Sequence, residues 1–136
     1  MAHTVEDITM QLLEEHFHIG TDIYFSSDIS NGFVLRFIKE VSLDFDKLAE
    51  LIDQTLALNL PVSYFDEDHI KIGDKIVDCD GPRFHVSNTA QVINFTLVKR
   101  FIKDAKTDTF CLVGLIDNHS DDLENRNTLH FLKRKD

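Results

Sequence analysis

No tryptophan, two prolines, five glycines and two cysteines occur in the 136 residues of this chain. Pro61 and Pro82 and the scattered glycines form no linker-like stretch, and no internal repeat divides the sequence. Residues 1–136 therefore read as a single globular domain. The glycines build neither a G-x-G-x-x-G nor a Walker A loop, which argues against a glycine-rich phosphate cradle. Cys79 and Cys111 are too few for a disulfide framework. MAHTVEDITM carries no basic and apolar leader, so the expected location is reducing and cytoplasmic. The longest apolar run, Phe110 to Ile116, falls far short of the roughly 20 residues a membrane helix needs, and no membrane partner is expected.

Bases are also scarce, and unevenly so. The net charge is -10, and residues 1–70 hold 14 acids against three bases, Arg36, Lys39 and Lys47. Residues 71–136 hold 11 bases and 10 acids. An acidic first half repels phosphate backbones, so nucleic acid is not an expected partner. Such a surface either keeps the chain in solution or docks a basic protein.

The apolar pattern predicts an α+β chain. Thr4 to Ile19 reads as a helix, with Thr4 and Asp7 as a loose capping box and Gly20 as the stop. Asp22–Ser26 and Phe33–Val41 read as strands joined at Asn31-Gly32, the second covered on both faces or at least in its middle. Asp44 to Leu58 is the clearest helix, with Phe45, Leu48, Ile52 and Leu56 on one side. Val62–Phe65, His69–Ile72 and Lys75–Cys79 read as a meander turning at Gly73-Asp74, and Arg83–Val86 as a possible addition. Ala90, Ile93, Leu97, Val98, Phe101, Ile102 and Ala105 keep helical spacing, which predicts a third helix over Ser87–Lys106 despite many strand-favouring residues. Thr109–Ile116 is a buried strand, Asp117–Asn127 a polar loop and Thr128–Lys133 a terminal strand. The order gives an antiparallel sheet with three helices and a ferredoxin-like βαββαβ core over about residues 33–116. A helix and strand precede that core, and a strand follows it.

The motifs with chemical content are weak. His16 and His18 lie two apart at a helix end, where they point to different sides. Asp117 to Glu124 lacks the glycine and the final glutamate of an EF-hand loop. Cys79, with His69 or His85 near it, sits between Asp78 and Asp80, whose charge disfavours a thiolate. Asp66, Asp68, Asp78 and Asp80 flank the meander and supply the ligands a metal-dependent hydrolase or nuclease would use. The D-x-K of that chemistry, Asp104-Ala-Lys106, falls at the end of the third predicted helix, where the geometry is wrong. Tyr24, Tyr64 and Phe65 are the aromatics expected at the surface, and Tyr64-Phe65 precedes an acidic run like a contact patch.

With little to support catalysis and no cofactor expected, the sequence points to a non-catalytic interaction or regulatory module. Its expected contact residues are Glu14, Glu15, Asp46, Glu50, Asp53, Tyr64 and Phe65. The partner is a basic protein or a second copy, whose Lys133-Arg134-Lys135 would meet the acidic half in a homodimer. The alternatives are a small-ligand sensor at a homodimer interface and the metal-dependent hydrolase above.

Overall fold

The computed structural model describes residues 2–29, 31–78, 87–92 and 94–116. Two α-helices, α1 (Ala2–Phe17) and α2 (Phe45–Ala57), pack on each other and against antiparallel sheets. The larger sheet contains β1 (Tyr24–Ile29), β2 (Gly32–Phe37), β6 (Thr96–Leu97), β7 (Ile102–Asp104) and β8 (Thr109–Leu115). Its order is β1-β2-β8-β6, with β7 also paired to β8. The smaller sheet is the meander β3 (Val62–Asp66), β4 (His69–Ile72) and β5 (Lys75–Asp78).

Helix α1 is buried around its whole N-terminal half: Thr4, Val5, Glu6, Asp7, Ile8 and Thr9 are all inside. Thr4 is thus within the helix, and the expected capping box does not start it. The stop is likewise His18, not Gly20. His18 takes φ +58°, and the Ile19 N–H donates to the Leu13 carbonyl at 2.9 Å while the Ile19 side chain is buried. That is the left-handed helix ending that glycine usually supplies. Helix α2 follows its sequence pattern. Asp44 caps it by accepting from the Lys47 N–H at 3.0 Å, and Leu48 and Ile52 are fully buried.

The covered strand expected at Phe33–Val41 is β2, which ends at Phe37: its six residues are all buried, while Ile38 beyond it is exposed. Phe33, Leu35 and Phe37 join the main core with Val5, Leu13, Leu48 and Ile52. Val34 forms a second, smaller cluster with Ile102, Cys111, Val113 and Leu115, on the sheet face opposite Phe33 and Leu35. Strands β1 and β2 turn between Ile29 and Gly32, with Asn31 at φ +58°. Gly32 and Gly114 are steric necessities: a Cβ on Gly32 would fall on the Gly114 carbonyl oxygen, and one on Gly114 would fall on the Phe33 ring.

The third predicted helix does not form. Residues 89–91 make one turn of 3₁₀ helix, and the chain then runs as β6 and β7 along β8. Leu97 enters the main core, Ile102 enters the opposite cluster, and Phe101 packs edge-on against Phe37 and Phe45 at 5.2 Å. One helical face cannot serve two sides of a sheet. β8 offers a hydrogen-bonding edge, and the Val, Ile, Thr and Phe content suits it. Without that helix the ferredoxin-like βαββαβ plan is not laid out, and α+β with antiparallel sheets is the architecture. Tyr24, expected at the surface, is buried and stacks on Phe37 at 5.0 Å. The expected strands Arg83–Val86 and Thr128–Lys133 and the loop Asp117–Asn127 lie outside the described residues. Among the described residues, no helix is long and apolar enough to cross a membrane.

Candidate functional site

The acidic residues singled out in the sequence are exposed, and they fall into two groups. Asp46, Glu50 and Asp53 recur every three or four residues along α2, on the stripe turned away from the buried Leu48 and Ile52. Seven residues of helix spread them over about 10.5 Å. Lys99 Nζ meets Asp46 Oδ1 at 2.9 Å, and the carboxylates of Asp46 and then Asp53 hold the lysine above its ordinary pKa. Glu50 accepts from Gln54 Nε2 at 3.1 Å. Glu14 and Glu15 lie at the other site, the last turn of α1. Glu15 Oε2 pairs with Lys75 Nζ of β5 at 2.7 Å, and that bond is the main cause of its lowered pKa. These exposed pairs are screened by solvent and contribute little to stability.

Tyr64 and Phe65 stand on β3, 59% and 55% exposed, with Ile76 of β5 exposed in the same sheet. A bulge between Tyr64 and Asp66 breaks the pairing with β4. Phe65 meets the His69 ring edge-on at 6.4 Å.

The metal-site candidates resolve differently. Asp66 Oδ1 accepts from the Asp68 N–H and from His69 Nδ1, both at 2.8 Å, and the histidine bond first, then the backbone bond, lowers its pKa. Asp66 thereby closes the β3–β4 turn. Asp68 is exposed beside it, Asp78 pairs with His69 in the ladder, and Asp80, Cys79 and His85 lie outside the described residues. Among the described residues, no three histidine, cysteine or carboxylate side chains are grouped to hold an ion. His16 and His18 are both exposed, flanking the end of α1.

Asp104 proves to be on a strand, not at a helix end. Its carboxylate is wholly buried and accepts from Arg36 Nη1 at 2.8 Å and from the Lys106 N–H at 3.1 Å. Burial raises its pKa, but bonds from Arg36, Thr107 and the Lys106 N–H outweigh that and leave it lowered. Arg36 is 8% exposed, and its Nη1 also lies 3.3 Å from Thr109 Oγ1 and 3.5 Å from Cys111 Sγ. Burial pushes the Cys111 thiol up, which makes it a poor nucleophile. Nothing in the pairwise spacing of residues 36 and 104 announced this pair. One signal did exist: a charged residue in a strand read as covered on both faces requires a buried partner.

An apolar cleft, missed in the sequence, lies between α1, the C-terminal end of α2 and the β4–β5 hairpin. Its volume is about 130 Å³. Ile8, Leu12, Leu60, Ile72 and Val77 line it, with Gln11, Thr55 and Lys75 as its polar groups. Gln11 Nε2 donates to Glu15 Oε1, so the Glu15–Lys75 pair sits at its border. Leu58, also lining it, is 65% exposed.

No protein-family model matches the sequence, and no curated protein matches it.

Proposed function

We propose that this protein is a non-catalytic interaction module that binds a basic protein segment through the carboxylates of its first half. The observation that carries this reading is the α2 stripe: Asp46, Glu50 and Asp53 are exposed in one row on a helix whose other side is anchored in the core. A row of like charge fixed on a rigid element attracts a complementary chain at a distance and orients it on arrival. Lys99 neutralises the Asp46 end, so Glu50 and Asp53 bear most of the attraction. The partner is a protein with clustered lysine or arginine, and a second copy presenting residues 133–135 meets that description. The same reading takes a reducing cytoplasmic compartment, in which Cys111 stays a thiol.

Native mass spectrometry of the protein drawn gently from its source identifies the partner. Rebinding of that partner to a variant with Glu14, Glu15, Asp46, Glu50 and Asp53 changed to lysine then tests the surface. Loss of the complex, together with weakening of the wild-type complex as salt rises, is expected. Unchanged binding by a folded variant overturns the reading.

A further inference from the structure

We draw no further inference here: the strongest candidate, the apolar face of the larger sheet around Val34, Cys111 and Val113, on the side opposite Phe33 and Leu35, is buried, and nothing among the described residues shows what covers it.

Discussion

Replacing Asp104 with alanine should destabilise the protein more than replacing its partner. Asp104 is 0% exposed and Arg36 8% exposed, and the two meet at 2.8 Å. Removing the carboxylate leaves a guanidinium that cannot give up its proton at any accessible pH, with the Thr107 and Thr109 hydroxyls as the oxygen acceptors near it among the described residues. Breaking one side of a buried pair costs about 3–5 kcal/mol. For a chain of 136 residues that corresponds to about 10–20 °C in melting temperature. Arg36→Met should cost less, because the stranded Asp104 can take up a proton and become neutral. The double variant Arg36→Met/Asp104→Leu should recover most of the loss, since apolar groups of similar volume pack where the pair stood. Urea denaturation followed by circular dichroism, arranged as a double-mutant cycle, measures all three.

The pair also gives stability a pH dependence. The folded carboxyl lies below its ordinary 3.8, so the unfolded chain binds the proton more readily. The contribution is therefore complete above the ordinary value and is lost as pH falls through the folded one. Asp104→Asn should flatten that part of the acid profile. A cost below about 1 kcal/mol for Asp104→Ala, or additivity in the cycle, would refute the reasoning.

Two further outcomes follow from the core. Gly32→Ala drives a methyl group into the Gly114 carbonyl of the neighbouring strand, and backbone cannot step aside as a side chain can. A loss of at least 1–3 kcal/mol, on the order of an overpacked core, is expected in the same denaturation assay, and wild-type stability would contradict the packing described. Cys111 should resist alkylation in the folded protein and react once urea unfolds it, because its thiol is buried and its pKa raised. Peptide mass spectrometry of the residue 111 fragment reads this directly, and rapid native labelling would be the contrary result.

Legibility from the sequence tracked how local each determinant was. Helix α2 could be read because its cap, its apolar stripe and its end all lie within about fifteen residues of one another. The meander could be read because Gly73, at φ +59°, marks its turn. Residues 87–106 misled because their apolar positions fit a helix, whereas their destinations are the two faces of a sheet whose strand β8 comes later in the chain. Glu6 and Asp7 counted toward an acidic surface and are in fact buried, because the buried surround of a helix is set by elements far along the sequence. The candidate site divides in the same way. The exposure of Glu14, Glu15, Asp46, Glu50 and Asp53 follows from helical periodicity. The cleft was invisible because α1, α2 and the small sheet each contribute only part of its wall.

The pairing of β2 with β8 sets a schedule for the newborn chain. Gly32 lies opposite Leu115, and Phe37 opposite Phe110. Strand β2 is therefore made long before its neighbour exists. At about 5–20 residues per second, Phe33, Val34 and Leu35 wait several seconds on the ribosome with one hydrogen-bonding edge bare. Long-range pairing of this kind is slow to form and prone to association in the interval. A chain arrested before residue 109 should thus be a client for holding chaperones, and completion of β8 should release it.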